Sequence, residues 1–316
     1  MESMVPDLIV IHEHPEWQKP LFAALERRGI SFSVYDLKRN GFDPARLPHA
    51  GLYFNQASPS AYVRGNTRAV PLALSLMRSL ESAGARVLNG SRAFALELSK
   101  SAQAALMLKL GIDCPRTLAF NDPSIGLDLW EGGWPALLKP EQGGSGARMY
   151  LLHSPDELSR LLHDRPELWL PDNLLLLQEY IPSDPARGIV RMEFLGGDLL
   201  YGMRVVSHGA FNLCPSEACN PEGNAVGLCD LPTTASVRPV EFYPYPEIPT
   251  DAVETGQRLL AAGGLDVAGI EYLEAGGRRV FYDVNANSNL RKPIGAALGF
   301  DPFDRVAEWL GSQIAA

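Results

Sequence analysis

The stretch from Val267 to Asn289, VAGIEYLEAGGRRVFYDVNANSN, constrains this chain most, because it reads as two strands joined at Gly276-Gly277 and loaded with acids and amides. Runs rich in Val, Ile, Tyr and Phe around a Gly-Gly pair are the short-range signature of a β-hairpin. Side chains alternate along a strand, so Asp283, Asn285 and Asn287 are expected on one face together with Phe281. Glu271 joins that face only if the connecting loop holds an odd number of residues or a bulge intervenes, and the odd loop is the prediction. Glu271, Asp283 and Asn285 would then offer oxygen ligands to a hard cation such as Mg²⁺. An ordinary solvated strand face accounts for the same residues about as well, so the rest of the chain has to decide.

A chain of 316 residues has room for two or three cores. At 46% hydrophobic and 21% charged it has the composition of a globular protein. The net charge of −9 and a pI near 5.2 argue against nucleic acid or an anionic membrane surface as partner, so any anionic ligand must be held by local groups. The first residues lack a basic segment, the apolar run Leu8 to Ile11 is too short for a signal peptide, and no stretch approaches the ~20 apolar residues of a membrane span. Cys114, Cys214, Cys219 and Cys229 show no disulfide-framework spacing, so the expected location is cytoplasmic.

Taken in order, DLIVIH reads as a buried strand, Pro15 to Arg28 as an amphipathic helix, and Ser31 to Tyr35 as a second strand. With a strand at 51–56, a helix from Val70 to Ala83 and a short strand from Arg86 to Leu88, residues 1–90 form a small α/β domain without a G-x-G-x-x-G fingerprint. Ser91 and Ser99 are plausible helix caps. Lys100 falls in the first turn of the second of these helices, where a cation opposes the macrodipole; it is either a surface lysine or one placed to meet phosphate.

PALLKPEQGGSGARMYLL then gives a strand, a loop with Gly143, Gly144, Ser145 and Gly146, and another strand. Such a loop exposes N–H donors to phosphate, although a plain hairpin turn explains it as often, and it is no Walker A. Lys139 ends an apolar strand, where its charge is costly without a partner. After a helix from Pro155 to His163, the apolar strand Leu174 to Ile181 ends in Gln178, Glu179 and Tyr180, groups suited to reading the edge of a flat base. Arg191 and Arg204 lie on the next two strands and suit charge-assisted bonds to phosphate or carboxylate. Residues 208–248 read as a long binding loop, a helix from Asp251 to Ala262 capped by Thr250 returns the chain to the hairpin, and a helix near Pro302 to Leu310 closes it.

In this order Lys100, LLKP with QGGSGAR, LLQEYIP, Arg191 and VAGIEYL…FYDVNAN resemble the ATP-grasp superfamily, above all its ribosomal-protein-S6-modification-like and glutathione-synthetase-like ligases. The resemblance covers roughly 86–310. It implies an α/β and α+β architecture: a pre-ATP-grasp domain at 1–90, a small lid-bearing subdomain at 91–176, and a subdomain with the metal site at 177–316. It implies that Lys100 and Lys139 contact ATP phosphates, with Gly143 to Gly146 as a lid. Gln178, Glu179, Tyr180 and Ile181 would border adenine and ribose. Glu271, Asp283 and Asn285 would hold one or two Mg²⁺ ions, with Mn²⁺ as a substitute, and Arg191 would steady the transferred group. The implied chemistry is ATP-dependent activation of a carboxylate as an acyl phosphate, followed by attack of an amine to form an amide. Amino acids or peptides are the implied substrates, and a homodimer is the family's habit.

Where these ligases carry a basic, Asn- and Gly-rich segment, this chain has SHGAFNLCPSEACNPEGN, which keeps Asn212 but loses the neighbouring basic residues. Arg291, Asn287 and Asn212 are the candidates for substrate contact, with Arg291 and Arg204 near a substrate carboxylate. Cys214, Cys219, Cys229 and His208 fit structural zinc spacings poorly, and free thiols explain them better. Two other functions compete with the amide ligase: an ATP-binding module without turnover, and a ligase joining the carboxylate to a thiol.

Overall fold

The computed structural model describes residues 5–144, 146–182, 184, 187–207, 240–288 and 290–315. Ser145, Asn212, Asn289 and the group His208, Cys214, Cys219 and Cys229 lie outside the described residues.

The first of three sheets among the described residues is parallel. Its strand β1 (Leu8–His12) is an unbroken apolar run buried along its whole length, as a strand covered on both faces must be. Helix α1 (Pro15–Arg27) leads to β2 (Phe32–Asp36), and β3 (Leu52–Gln56), a 3₁₀ turn (Pro59–Arg64), α2 (Ala69–Ser82) and β4 (Val87–Leu88) complete the layer in the order β2-β1-β3-β4. The parallel α/β start expected from the sequence is present. Helices α3 (Ser91–Leu98) and α4 (Lys100–Lys109) follow. Ser99 caps α4, its hydroxyl accepting from the Ala102 N–H at 3.0 Å. Ser91 does not cap α3: Gly90 holds that position, and the Ser91 hydroxyl donates to Glu81.

The second sheet is antiparallel, with β5 (Thr117–Phe120), α5 (Pro123–Leu129), β6 (Ala136–Pro140), β7 (Tyr150–Leu152), α6 (Pro155–Asp164) and β8 (Leu175–Glu179) arranged β5-β8-β6-β7. Helix α6 shows why its segment is helical. Ser154 accepts from the Glu157 N–H, Asp156 and Glu157 sit at the positive end of the dipole, and Leu158 and Leu162 fall on the buried face. The third sheet takes β9 (Ile189–Leu195), β10 (Asp198–Val206), β11 (Glu241–Pro244) and, after α7 (Thr250–Gly263), β12 (Val267–Ala275) and β13 (Arg278–Asn285). It is antiparallel in the order β11-β10-β9-β12-β13, and α8 (Lys292–Ala297) and α9 (Pro302–Ala315) end the chain. Thr250 is the first residue of α7 rather than its cap, which is Pro249.

Two cores decide how these layers sit. Ala93, Met107 and Ile112 from the α3–α4 region share one core with Met192, Phe194, Ile270, Tyr272 and Phe281, so these helices cover the back of the third sheet. Leu21 and Leu25 of α1 meet Val306 and Leu310 of α9 in another, joining the first sheet to the C-terminal helix. Among the described residues no helix is long and apolar enough to cross a membrane.

The hairpin β12–β13 corrects two expectations. Its loop is the two-residue turn Gly276-Gly277, with φ of +58° and +76°, values that favour glycine, and Ala275 pairs with Arg278. The pairing then runs to Tyr272 opposite Phe281 and jumps to Glu271 opposite Asp283, leaving Tyr282 as an extra residue. A β-bulge, not an odd loop, brings Glu271 and Asp283 to one face. The same shift parts Asp283 from Phe281, which turns into the core against Tyr272.

Asn89 ties the first sheet to the third. It is wholly buried at φ +50°, a conformation Asn tolerates better than most residues. Its Oδ1 accepts from the N–H groups of Asp266 at 2.8 Å and Val267 at 3.0 Å, its Nδ2 donates to the carbonyls of Val267 at 2.8 Å and of Ala286, and its own N–H donates to the Asp266 carboxylate at 2.7 Å. Truncation to alanine strands several buried groups at about 1–3 kcal/mol each. Asn89→Ala is therefore expected to cost roughly 3 kcal/mol or more of unfolding free energy, read from urea denaturation; an unshifted midpoint would show that the contacts contribute little.

Candidate active site

Directly paired strand residues share a face, and the register of β9, β12 and β13 collects chemistry on one. Arg191 stands opposite Glu271, Glu193 opposite Gly269, Glu271 opposite Asp283, and Gly269 opposite Asn285. The bulge adds Tyr282, whose hydroxyl donates to Glu271 Oε2 at 2.6 Å. Arg191 donates through Nε to Glu193 Oε1 at 2.6 Å and through Nη1 to Glu271 Oε1 at 2.8 Å. The Ser288 hydroxyl donates to the other oxygen of Glu193, and Asn285 Nδ2 donates to Asp283 Oδ2 at 2.9 Å.

Helix α4 brings Lys100 to this face. One turn after Lys100, Gln103 imitates a neighbouring strand: its Nε2 donates to the Val284 carbonyl at 2.9 Å, and its Oε1 accepts from the Val284 N–H at 3.0 Å. With α4 stitched to β13 in this way, the Lys100 ammonium meets Asp283 Oδ1 in an ion pair. Glu141, at the end of β6, accepts from the Ser101 N–H at 3.0 Å and the Ser101 hydroxyl at 2.6 Å, placing the second sheet against the same helix start.

The opposite wall comes from that second sheet. Lys139, buried in β6, donates to Gln178 Oε1 at 2.6 Å, and Gln178 donates onward to Thr117 Oγ1 at 2.9 Å. Glu179 is exposed and accepts from the Arg116 N–H at 3.1 Å, and the partly buried Tyr180 and Ile181 follow it. The glycine loop lies over the lysines. A Cβ on Gly143 would sit 3.3 Å from Lys100 Cε, and one on Gly144 would sit 2.8 Å from Ser60 Cβ in the 3₁₀ turn of the first sheet; Gly146 has φ +72°. Gln142 Nε2 donates to the Pro59 carbonyl at 3.3 Å. All three sheets thus border one cleft.

Electrostatics within the cleft follow from burial and pairing. Burial pulls the Lys100 ammonium down, but the Asp283 carboxylate outweighs it and leaves Lys100 above its ordinary value. Burial raises Asp283, and Lys100 more than reverses this, so Asp283 is held below the usual carboxylate range. Glu271 goes the other way: burial raises it, and the neighbouring Asp283 charge adds to the rise against the pull of Arg191. Lys139 has no carboxylate in contact, so burial, and then the Lys100 charge, bring it down to about 7.

Arg204 does not join the cluster. It pairs with Val190, next to Arg191 on β9, so it faces the back of the sheet, where it donates to Glu274 at 3.0 Å and stacks over Tyr245. Its assignment to catalysis is corrected on that ground. Asn287 bridges the sheets, its Nδ2 donating to the carbonyls of Gln56 at 3.0 Å and Ala57 at 3.1 Å. Arg291 reaches the site side: its N–H donates to the Tyr201 hydroxyl at 2.8 Å, its guanidinium lies 3.2 Å over the Phe242 ring, and Tyr201 is opposite Glu193.

Sequence reasoning missed Glu193, Tyr282, Gln103 and Glu97. A lone acid inside the apolar run IVRMEFL was a usable signal for Glu193, since a buried charge needs a partner. Glu97 gave a similar one in FALEL. It is buried on α3, its Oε1 accepts from the Asn287 N–H at 3.2 Å, its Oε2 has no hydrogen-bond partner among the described residues, and burial pushes it up to about 8. Tyr282 gave none, because its role depends on the bulge.

As a metal site the donor set is all oxygen: two carboxylates and the Asn285 amide on one face, already drawing the cation Lys100 to Asp283. This fits Mg²⁺, which takes oxygen ligands and completes its shell with water and phosphate. Among the described residues no group of three or more His, Cys, Asp or Glu side chains is placed to hold a metal by itself.

The chain has the ATP-grasp fold. Neither a protein-family model nor a curated protein matches the sequence, whereas solved structures match over nearly its whole length. The ATP-grasp ligase PsnB complexed with a minimal precursor is 19% identical, with 98% of this chain and 99% of that chain covered at a TM-score of 0.66. A RimK domain ATP-grasp protein from Sphaerobacter thermophilus is 16% identical over 96% and 98%, at 0.68. D-alanine–D-alanine ligase from Bacillus anthracis is 12% identical over 98% and 97%, at 0.69. The architecture anticipated from the ordered motifs is borne out at the level of fold.

The buried Glu97 generates a pH dependence. Its folded value of about 8 lies above its ordinary 4.5, so the folded chain binds the extra proton between these limits. Stability from this group is present below 4.5 and lost as pH rises through about 8. Glu97→Gln, neutral at all pH, is expected to leave stability unchanged near pH 5 and to raise it near pH 8.5, measured by denaturant titration across that range; parallel curves for the two proteins would count against a raised Glu97.

Proposed function

We propose that this protein is an ATP-dependent ligase that joins a carboxylate to an amine, with an amino acid or short peptide among its substrates. The observation that carries the reading is the cleft itself: Lys100, Lys139 and Arg191 converge on Glu271, Asp283 and Asn285 beneath a glycine loop. Three cations facing an oxygen donor set suit a polyphosphate with its metal and little else. The likeness to ATP-grasp ligases, including one solved with a precursor peptide and one named for D-alanine, supports the same class.

In this reading Lys139 and Lys100 bind ATP phosphates, and Gln178 to Ile181 border the base. Phosphate arrival restores the charge on Lys139, because a neighbouring anion offsets the burial that depresses it. Glu271, Asp283 and Asn285 would hold Mg²⁺, which would neutralise charge on the phosphate oxygens. The substrate carboxylate attacks the γ-phosphorus and ADP leaves; the amine then attacks the acyl carbon, phosphate departs, and the amine's proton passes to solvent or phosphate. Arg191 steadies the charge on the transferred group, and the glycine loop excludes water that would hydrolyse the acyl phosphate. Arg291, backed by Phe242, binds a carboxylate on the substrate. The division into units at 1–90, 91–176 and 177–316 belongs to the same proposal.

The test is phosphate release from Mg-ATP with a pool of amino acids and short peptides. Release that depends on the pool and disappears in Asp283→Ala and Lys139→Ala is the expected outcome. Product mass separates an amide from a thioester, and nucleotide binding without release by any substrate would favour a silent binder. Arg291→Ala is expected to raise KM for the carboxylate substrate roughly 10–100-fold, the worth of one charge-assisted contact, while KM for ATP stays put. Equal changes in both constants would remove Arg291 from the substrate site.

A further inference from the structure

Arg191 occupies a seat that the backbone has to leave empty. Gly269 lies on β12 on the same face, directly opposite Glu193 and one alternate position from Glu271. A Cβ built there would meet Arg191 Nη2 first and fall 2.6 Å from Cζ and 3.0 Å from Nε, so the guanidinium occupies the space where any other residue would place its side chain. The two carboxylates flanking this position take the Nε and Nη1 donors. A planar fork held at two points and backed by main chain has little rotational freedom left. Of its five N–H groups, three remain after these two bonds.

Glu193 is the less expected partner. It is fully buried, it points at the same face as the cleft, and its second oxygen receives the Ser288 hydroxyl just after the Asn285 and Asn287 segment. A carboxylate buried to this degree is tolerated only because Arg191 and Ser288 satisfy it. Burial alone would lower the Arg191 charge, but Glu193 and then Glu271 outweigh it.

We propose that Gly269 and Glu193 are positioning residues for Arg191: the missing side chain at 269 and the buried carboxylate at 193 fix the guanidinium so that its remaining N–H edge meets the transferred phosphoryl group. The role of Arg191 in this statement rests on the ligase reading; the seat itself does not. Glu271 alone would leave the fork pivoting about one bond. The three atoms nearest to an alanine methyl at 269 all belong to the far end of the Arg191 side chain, which can give way where main chain could not, so Gly269→Ala should fold while displacing Arg191.

The experiment compares wild type, Gly269→Ala, Glu193→Gln, Arg191→Ala and the double variant Gly269→Ala/Arg191→Ala. The expected result is a fall in kcat of ~10²-fold for Gly269→Ala, since a misplacement near 1 Å is worth about that much, with KM for ATP close to wild type and a melting temperature between those of wild type and Arg191→Ala. Glu193→Gln should fall in kcat in the same way by a smaller factor. Adding Gly269→Ala to Arg191→Ala should cost nothing more, because a residue that acts only through Arg191 has nothing left to position. Independently of turnover, the Arg191 Nε–H signal in ¹⁵N NMR, identified by its loss in Arg191→Ala, should be protected from exchange in wild type and shifted or exposed in Gly269→Ala. An unmoved signal, wild-type kcat in Gly269→Ala, or an equal penalty with and without Arg191 would overturn the proposal. Should wild type turn over no substrate, the ligase reading fails while the NMR comparison still decides the seat.

Discussion

The pairing of β12 with β13 is regular from the glycine turn as far as Tyr272 and Phe281, and then one strand carries a residue its partner lacks. Period-two alternation means that a single extra residue reverses every side chain beyond it. With regular pairing in place of the bulge, Asp283 and Asn285 would turn into the core beside Phe281, and Tyr282 and Val284 would turn outward. The bulge keeps Phe281 inside and sends the acids out, and it aims Tyr282 at Glu271. Lys100 then has its partner because Gln103 is fastened to Val284, the residue that the same shift turns inward. Much of the cleft depends on this one irregularity.

The charges it assembles are buried ones, and a buried charge is a liability unless it is matched. Arg191 is matched twice and Lys100 once; Lys139 has only the neutral Gln178. The unequal treatment is reflected in their proton affinities, with Arg191 and Lys100 held up and Lys139 let down. An arrangement of this kind is better suited to receiving an anion than to stabilising the chain. Glu97 adds a carboxyl whose second oxygen has no partner among the described residues, close enough to feel Asp283 and Lys100.

The caps expected at Ser91 and Thr250 fell one residue earlier, at Gly90 and Pro249, whereas strands rich in branched residues, helices with glycine stops, and the order of motifs were legible, because local propensity and tertiary structure agree there. LIVIH, LLLLQE and the α6 segment with its Ser154 cap are examples. β5 and α5 were not, since four and seven residues carry too little periodicity to separate from loop. In the site, Glu271, Asp283, Asn285, Lys100, Lys139 and Arg191 do come together. Arg204 was misplaced because spacing along β10 does not reveal which face it takes until the strand's partner is known. Glu193 was overlooked because its partners Arg191 and Ser288 meet it only in the fold.

The Asn89 junction has a mechanical side. It joins β4 to β12 and to the segment after β13, Asn287 adds a link to β3, and α1 rests on α9, so the first and third sheets form one block. The second sheet meets that block at the glycine loop through lighter contacts, such as those of Glu141 with the start of α4 and of Gln142 with Pro59. The contacts therefore divide the molecule into two bodies rather than three: a block that keeps Arg191 and the acids registered to one another, and a more lightly tethered sheet that carries Lys139.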